Sequence, residues 1–449
     1  MEFITVKKGK NIPLKGKADK RIEELPLPDR IAIKPPDFKG LRLRVLAKAD
    51  DLVKVGTPIL EDKKNNDIKI VSPASGKVVA INRGLKRALL EVVIETDGRQ
   101  NKEELPVLPS EDVNALTRDD IIKQLLAGGV WPCIRQRPFS KIADPYDTPK
   151  SIFINAMSTD PLAIDIDFVL REREEEFQTG LNIIKKLTGG DIFLCCKSHA
   201  GSKAVTEAKG VKVYGFSGPH PTGNASTHIH YLDPIQKGEL VWYIQAEDVI
   251  RIAALFLYNI FSSERFVAIT GEGATKRIYK KTNLGAPVTH LLEGDIKEGM
   301  RYISGSVFFG TNVGVNGFLS FYDSQITVIP EGGSRKFLGW LMPGFNKYTV
   351  SKTFASAFDM LEEVSLNADE HGGHRAIVLN DIYDDFVTLD IMTYFLIKAV
   401  IAEDIDEAER LGILECDEED FALCTFACPS KTDVGGIIRK GLDIIEKEG

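Results

Sequence analysis

The first hundred residues alternate short apolar runs with glycine and proline turns, a pattern typical of small β structure. Two β-rich runs, 77–83 and 87–96, are joined at Gly84, which predicts a β-hairpin. Two further segments, 55–60 and 72–78, each combine turn residues with a strand-like run. We therefore predict a β domain over residues 1–100.

After a charged, proline-containing linker at 101–111, the pattern changes to alternating strand and helix periods. A continuous apolar run predicts a strand at 151–156, and the run 161–187 predicts one long helix that ends at Gly189. A strand–helix–strand unit follows at 191–196, 200–209 and 211–216, and a largely apolar helix at 246–261. This alternation predicts a Rossmann-like α/β domain over 112–256.

Residues 257–330 are rich in glycine and return to strand-like runs at 266–270, 306–309 and 326–329, with a helix start at 285–292. This order resembles a β-grasp, ubiquitin-like domain. Residues 331–449 show helical patterns at 388–402, 405–411 and 434–447, which predict a C-terminal helical domain. The predicted fold class is a multidomain protein that mixes α+β and α/β architecture.

Charge and cysteine content limit the possible functions and the expected location of the chain. The chain has 57 basic and 65 acidic residues, so its net charge of −8 argues against nucleic-acid binding through a basic field. Its six cysteines show no disulfide spacing, and its N-terminus shows no apolar leader, so we expect a cytoplasmic location. No apolar run reaches the ~20 residues of a membrane span, so any membrane association is expected through partners.

The segment 418–430, EEDFALCTFACPS, resembles an iron–sulfur loop that has lost half its ligands. Cys424, Cys428 and Pro429 match the end of the ferredoxin pattern C-x2-C-x2-C-x3-C-P, but Glu418 and Phe421 stand at the other two ligand positions. The segment is interpreted as a vestigial cluster motif, with no metal bound. The alternative is two ordinary cysteines one helical turn apart.

A second segment, Gly128-Gly129-Val130-Trp131-Pro132, resembles the glycine-rich G-G-A-G-F-P loop that holds FMN in the NADH-oxidising subunit of respiratory complex I. Glycine is needed there because a Cβ atom blocks close approach of the backbone to phosphate. The side chains of Val130 and Trp131 would occupy the space that a bound flavin needs, so we predict a degenerate flavin-type loop that holds no flavin. The alternative is a glycine that simply ends the preceding helix.

His220, His228 and His230 lie in one proline- and glycine-containing stretch. In an extended segment His228 and His230 would point to the same face, and an H-x-H pair can chelate a metal. With His220 they could form a three-histidine zinc site. The favoured interpretation is a ligand-contacting loop at a sheet edge, with these histidines as its candidate residues.

Four segments, together with the β-grasp-like region at 257–330, resemble the A-subunit family of the bacterial sodium-translocating NADH:quinone reductases, and the similarity runs over the whole chain. They are SPASGKVVAINRG at 72–84, RQRPFSKIADP at 135–145, GPHPTGNASTHIHYLDP at 218–234 and CTFACP at 424–429. The resemblance implies an N-terminal barrel-sandwich domain like that of biotinyl carriers. It also implies a peripheral location on the cytoplasmic face of the inner membrane, where the chain docks on the membrane-embedded B-subunit of a six-subunit reductase.

The same resemblance implies that this chain binds no FMN, FAD or 2Fe-2S cluster, and that those cofactors belong to partner subunits. It implies a role in assembly and in ubiquinone binding within a translocase, with the isolated chain not catalytic. Two alternatives remain at this point. One is a flavin-dependent NADH dehydrogenase module that uses the Gly128 loop, and the other is a histidine-based metal-binding protein.

Overall fold

The computed structural model describes residues 1–110, 112–333, 337–339, 341–345, 347–358, 362–379 and 381–448. The strands are β1 (Glu2–Thr5), β2 (Asp19–Glu24), β3 (Arg30–Ile33), β4 (Leu43–Val45), β5 (Leu52–Val53), β6 (Pro58–Asp62), β7 (Lys69–Val71), β8 (Gly76–Arg83), β9 (Leu89–Thr96), β10 (Arg135–Arg137), β11 (Lys141–Ile142), β12 (Ser151–Ala156), β13 (Asp191–Lys197), β14 (Lys212–Ser217), β15 (Val241–Gln245), β16 (Glu264–Thr270), β17 (Ile278–Asn283), β18 (Met300–Ser304), β19 (Thr311–Asn312) and β20 (Gln325–Pro330). The helices are α1 (Arg118–Ala127), α2 (Ile166–Val169), α3 (Glu174–Ile184), α4 (Lys203–Thr206), α5 (Ala225–Leu232), α6 (Ala246–Tyr258), α7 (Val288–Leu291), α8 (Thr393–Ile401), α9 (Ile405–Arg410), α10 (Ala422–Ala427) and α11 (Val434–Glu448).

The N-terminal β structure consists of two small sheets, ordered β3-β9-β8-β5 and β4-β6-β7. The predicted hairpin is confirmed, because β8 and β9 pair antiparallel along their whole length. Val78 and Val92 on this hairpin pack with Ile59 and Leu60 of β6 in one buried cluster. Alternation of apolar and polar residues therefore places one face of each sheet in a shared core.

The α/β region is built on a seven-stranded sheet ordered β1-β14-β13-β12-β15-β10-β11. The first five strands in this order are parallel to one another, and β10 and β11 complete the sheet as antiparallel strands. All six residues of β12 are buried, as expected of a central parallel strand with both faces covered. The strands predicted at 151–156, 191–196 and 211–216 are confirmed as β12, β13 and β14.

The first 24 residues connect sheets that lie far apart in sequence. Strand β1 pairs with β14 of the seven-stranded sheet, and β2 pairs with β17 of a second, six-stranded sheet. A local hydrophobic pattern cannot reveal such pairings, because the partner strands lie some two hundred residues away. The N-terminal segment thus joins the two larger sheets and not the small sandwich.

The prediction of one helix over 161–187 is wrong. The structure has α2 and α3 separated by a turn in which Glu172 adopts a left-handed φ of +62°. The Asp167 carboxylate accepts hydrogen bonds from the backbone N–H groups of Gly201 and Ser202, which fixes α2 separately from α3. The order of acidic and then basic residues along 161–187 favours a helix locally. The tertiary contacts of Asp167 nevertheless divide the predicted helix into α2 and α3.

The six-stranded sheet has the order β19-β18-β20-β16-β17-β2. Strands β16 and β20 and the short helix α7 lie where they were predicted, but the strand predicted at 306–309 is wrong. Those residues form a turn, in which the Ser306 hydroxyl accepts from the Phe308 N–H and the Ser306 carbonyl accepts from the Gly310 N–H. The edge of the sheet is formed instead by β18 and β19.

Helices α8 to α11 pack around a separate buried cluster that includes Leu396, Ile397, Ile438 and Leu442. The helices predicted at 405–411 and 434–447 are confirmed as α9 and α11, and the one at 388–402 starts later, at Thr393. Within the described part of the chain, no helix combines the length and the apolar character needed to cross a membrane.

Candidate functional site

A cavity of about 370 Å³ lies where all parts of the chain meet, and we call it the central cavity. Asn155 and Gln245 reach it from the carboxyl ends of the parallel strands β12 and β15. This is the edge where open α/β sheets bind ligands. Asp37 reaches it from the N-terminal sandwich, Asp323 from the six-stranded sheet and Asp417 from the C-terminal region.

The charged side chains of the cavity are mostly carboxylates. Its acidic residues are Asp37, Asp160, Glu247, Asp323, Asp417, Glu418 and Glu419, and its basic residues are Lys39, Arg135 and Arg265. Burial raises the pKa of both Asp37 and Asp160 to about 6. Burial, assisted by the neighbouring Asp417 carboxylate, raises the pKa of Glu419 to about 8, so this group is mostly protonated at neutral pH.

Strand β10 supplies two arginines to this region. Successive side chains alternate along a strand, so Arg135 and Arg137 share a face, and both guanidinium groups lie over the ring of Tyr243, at 4.4 and 5.2 Å from its centroid. Arg135 also lies 4.7 Å from the ring centroid of Tyr322. The aromatic faces hold the Arg135 cation at the cavity wall.

Arg137 is the centre of a buried ion cluster. Its side chain is 1% exposed, and its Nη2 atom lies 3.1 Å from Asp417 Oδ2 and 3.4 Å from Glu419 Oε1. The Ser140 hydroxyl donates to Asp417 Oδ2 at 2.6 Å. Burial would raise the pKa of Asp417, but the charges of Arg137, Lys39 and Arg439 and the Ser140 hydrogen bond together outweigh burial and lower it. The cluster therefore joins the α/β sheet to the C-terminal region.

Several polar atoms at the cavity make no hydrogen bond within the protein. Glu247 Oε2 accepts from Arg265 Nη1 at 2.9 Å and from Ser324 Oγ at 2.6 Å, whereas Glu247 Oε1 is buried without a partner. Arg265 Nε is likewise buried without a hydrogen bond, and Asp160 Oδ1, also without one, lies 3.4 Å from His220 Nδ1. Because unpaired buried polar atoms are costly, these atoms mark polar groups beside the cavity that hydrogen bonds within the protein do not satisfy.

The flavin-type loop is packed by side chains. Gly128 caps α1, and a Cβ atom on Gly128 or Gly129 would meet Leu255 or Val71 respectively, at 2.5 and 2.4 Å. Trp131 is fully buried, and its indole N–H donates to the Ala143 carbonyl at 2.8 Å.

Two contacts connect this loop with the rest of the region. The Trp131 ring meets Trp242 edge-on at 5.5 Å, and the Pro132 carbonyl accepts from the hydroxyl of Tyr322, which lines the central cavity. Apolar side chains thus occupy the space over the loop backbone, and the loop supports the cavity wall from behind.

The expectation that His228 and His230 share an extended face is wrong, because both lie on α5. Residues that are two positions apart on an α-helix are rotated by about 200° around its axis. The two imidazoles therefore point in nearly opposite directions. His228 is buried 4.5 Å from the Phe216 ring, and His230 Nδ1 lies 2.8 Å from Glu415 Oε2. Burial lowers the pKa of His228 to about 3.

His220 lies on the preceding loop, where its ring centre is 4.9 Å from that of Phe308 and burial lowers its pKa to about 3. Its Nδ1 atom lies 3.3 Å from the Thr159 hydroxyl. The three histidines therefore have separate surroundings. In the chain as described, no group of three or more His, Cys, Asp or Glu side chains is placed to bind a metal ion.

Cys424 and Cys428 are buried on and just after α10. Tyr383 contacts both, because its hydroxyl donates to Cys428 Sγ at 3.0 Å and its carbonyl lies 3.8 Å from Cys424 Sγ. Burial raises the pKa of Cys424, whereas hydrogen bonds from Tyr383 and Thr432 overcome burial and lower the pKa of Cys428. These thiols are integrated into the packing of the C-terminal region.

The two remaining positions of the cluster pattern are also engaged. The Phe421 side chain is fully buried in the C-terminal core. The Glu418 carboxylate forms ion pairs with Lys39 and Arg439. Instead of pointing to a shared ligand centre, this segment delivers Asp417, Glu418 and Glu419 to the central cavity.

Sequence reasoning missed most of the cavity. Asp160, Glu247 and Arg265 stand in no recognisable motif, and only the fold brings them together. Two signals were present in the sequence: the RQRPFSKIADP segment, which contains Arg135 and Arg137, and the run of acidic residues before Phe421. The first suggested a family and the second a ligand spacing, and neither showed that their charges meet in one cavity.

Fold and site together define a multidomain α/β protein with a cavity lined by residues from each of its regions. Three family models match the chain: the NqrA N-terminal barrel-sandwich hybrid domain at residues 4–97, the NqrA second alpha/beta domain at 116–259 and the NQRA C-terminal domain at 266–314. The barrel-sandwich architecture predicted for the N-terminal region is thereby confirmed.

Similar proteins are named as the A-subunit of the Na(+)-translocating NADH-quinone reductase. Those of Yersinia pestis bv. Antiqua (strain Angola) and Histophilus somni (strain 129Pt) are each 39% identical to this chain, and that of Pasteurella multocida (strain Pm70) is 38% identical. All three matches cover 100% of both chains. The chain therefore belongs to the NqrA family, the A-subunit family of these reductases.

Among solved structures, an NAD+-reducing [NiFe]-hydrogenase in its air-oxidized state is similar with a TM-score of 0.34 and 15% identity, covering 49% of each chain. The same enzyme in its H2-reduced state gives a TM-score of 0.36, also with 15% identity and 49% coverage of each chain. This likeness is too distant to bear on function.

Proposed function

We propose that the chain is the NqrA component of a Na(+)-translocating NADH:ubiquinone reductase, in which it contributes to assembly and binds quinone. NADH oxidation and sodium transport reside in other subunits. The observation that carries this proposal is the full-length match, at 39% identity, to proteins named as that component. The reductase is a translocase, and this chain alone does not perform its catalysis.

The proposal includes a location and partners. The chain is peripheral, lies at the cytoplasmic face of the inner membrane and docks on the membrane-embedded B-subunit. FMN, FAD and the 2Fe-2S cluster belong to partner subunits. The filled space over Gly128 and Gly129 supports this division of labour, and so does the pairing of Glu418 with two cations.

The finer domain assignment is also a proposal. We assign a Rossmann-like domain to 112–256, a β-grasp domain to 257–330 and a helical domain to 331–449, after the β domain of 1–100. The parallel order of the central strands supports the first of these, and the mixed six-stranded sheet with α7 supports the second. Strands β1 and β2 extend from the first domain to the next two sheets.

The central cavity is the proposed quinone site. Its volume of about 370 Å³ falls within the range of small-molecule pockets, and its wall includes apolar side chains such as Ile142 and Phe309. A quinone head group carries two carbonyl oxygens that accept hydrogen bonds. Arg135 can donate to one of them, and a protonated Glu419 can donate to another.

Quinone binding is expected to depend on the protonation of Glu419. The ionised carboxylate can only accept hydrogen bonds, so binding should weaken by about tenfold per pH unit above about 8. The charged groups facing Glu419 are Arg135, Arg137, Asp417 and Asp420. The measurement is a titration of the purified chain with a short-chain ubiquinone across this pH range.

Two variants complete the experiment. Glu419→Gln keeps a donor at the same place, so its affinity should stay near the wild-type value at pH 7 and lose the decline above pH 8. Glu104→Gln, at an exposed position, serves as the control and should follow the wild type. An unchanged decline in Glu419→Gln, or no binding of quinone by the folded wild-type chain, would contradict the proposed site.

A further inference from the structure

The described residues of 337–358, which we call the projection, expose an unusual number of large apolar side chains. The most exposed are Phe337 at 87%, Leu341 at 67%, Phe345 at 67% and Phe358 at 95%. Leu338 and Met342 are also exposed. Isolated exposed apolar residues are ordinary, but a dense group of them within one segment marks an interaction surface.

The projection is held in place from within and from its base. The Lys347 ammonium donates to the Gly339 carbonyl, and the Ala355 N–H donates to the Pro343 carbonyl at 2.8 Å. Tyr348 and Val350 are partly buried against the C-terminal core. The segment is thus anchored by these two side chains, while Phe337, Phe345 and Phe358 are exposed.

The charge of this region is opposite to that of the whole chain. Residues 337–358 contain Lys347 and Lys352 and no acidic residue, although the chain has a net charge of −8. An apolar surface whose only charged side chains are basic is electrostatically complementary to an apolar surface whose charged side chains are acidic. Aromatic residues and methionine, which the projection contains, are also among the residue types enriched in protein interfaces.

A row of aromatic rings connects the projection with the central cavity. The Tyr348 ring lies 6.1 Å from that of Phe426, which lies 6.4 Å from Phe308, and the ring centre of Phe308 is 4.9 Å from that of His220. The next residue, Phe309, lines the cavity and is partly exposed. A partner seated on the projection would therefore lie beside the proposed quinone site.

We propose that the projection is the surface through which this chain docks on another subunit of the reductase. Its occupant is an apolar segment of that subunit, and this segment carries acidic residues. This inference rests on the proposed function and adds to it the docking surface and the chemistry of the partner.

The test is retention of the chain in the assembled reductase, purified through a tag on another subunit. The double variant Leu341→Ser/Phe345→Ser is expected to lower the retained amount by at least about tenfold, since interface anchors carry most of the binding energy. The charge reversal Lys352→Glu is expected to lower retention most at low salt, where charge attraction is least screened. Leu85→Ser, at a side chain 92% exposed on the tip of the β8–β9 hairpin, is the control and should be retained like the wild type.

Thermal unfolding of each purified variant must match the wild type, which separates lost docking from lost folding. Retention of the folded double variant at the wild-type level would overturn the inference alone. Failure of the wild-type chain to co-purify would overturn the proposed function as well.

Two other occupants of the projection, lipid and a second copy of the chain, would give different experimental results. Binding of the wild type to vesicles of phosphatidylglycerol and phosphatidylcholine, lost in the double variant while retention in the complex is normal, would assign the projection to lipid and overturn the proposal. Self-association in solution that the double variant abolishes, again with normal retention, would assign it to a second copy of the chain and overturn it equally.

Discussion

Replacing Trp131 with alanine is expected to lower the free energy of unfolding by about 3–5 kcal/mol. The indole is fully buried, packs edge-on against Trp242 and donates a hydrogen bond to the Ala143 carbonyl. Truncation leaves a cavity in the main core and an unsatisfied carbonyl behind the wall of the central cavity.

Chemical denaturation of the purified chain measures this loss. Trp131→Phe keeps a ring but loses the N–H donor, so its cost should fall between those of the wild type and the alanine variant. Tyr146→Ala removes an aromatic side chain that is 74% exposed and should change stability by no more than about 0.5 kcal/mol. A cost for Trp131→Ala as small as that of the control would show that the flavin-type loop is not a packed structural element.

Replacing Arg137 with methionine is expected to destabilise the chain by about 3–5 kcal/mol. The guanidinium is buried between Asp417 and Glu419, which lie 280 or more residues later in the sequence. Removing the cation leaves at least the Asp417 carboxylate charged and buried without its main partner. Because the cluster joins β10 to the C-terminal region, that region should also become more sensitive to proteolysis.

A double-mutant cycle isolates the pair. Adding Asp417→Asn to Arg137→Met should recover part of the stability, since the uncompensated charge is then absent. The control Arg410→Met removes an ion pair between Arg410 and Glu407 at the surface. The Arg410 side chain is 77% exposed, so this substitution should cost less than about 1 kcal/mol of stability. Equal costs for Arg137→Met and Arg410→Met would show that the buried cluster contributes little to the fold.

The elements that were predicted best from the sequence are those with a local pattern. The hairpin of β8 and β9, the buried strand β12 and the helix α6 each carry a clear period or an apolar run bounded by turn residues. The long helix expected at 161–187 failed, because contacts made by Asp167 and the left-handed turn at Glu172 are not visible in the pattern. The H-x-H pair failed because α5 replaces the extended segment.

The central cavity could not be predicted, since its chemistry depends on distance in sequence and on burial. Arg137 and Glu419 are brought together only by the packing of β10 against the C-terminal region. The raised pKa values of Asp160 and Glu419 come from burial, which no motif records. Family resemblance supplied the identity of the chain, whereas the fold was needed to find the site.

The chain is proposed to serve the reductase without carrying a redox centre of its own. The most direct test is the visible absorption spectrum of the purified chain, recorded before and after addition of NADH. We expect a colourless protein with no flavin or iron–sulfur absorption and no change on adding NADH. A flavin band that bleaches with NADH, or a cluster shoulder, would contradict the account and make the chain a redox enzyme itself.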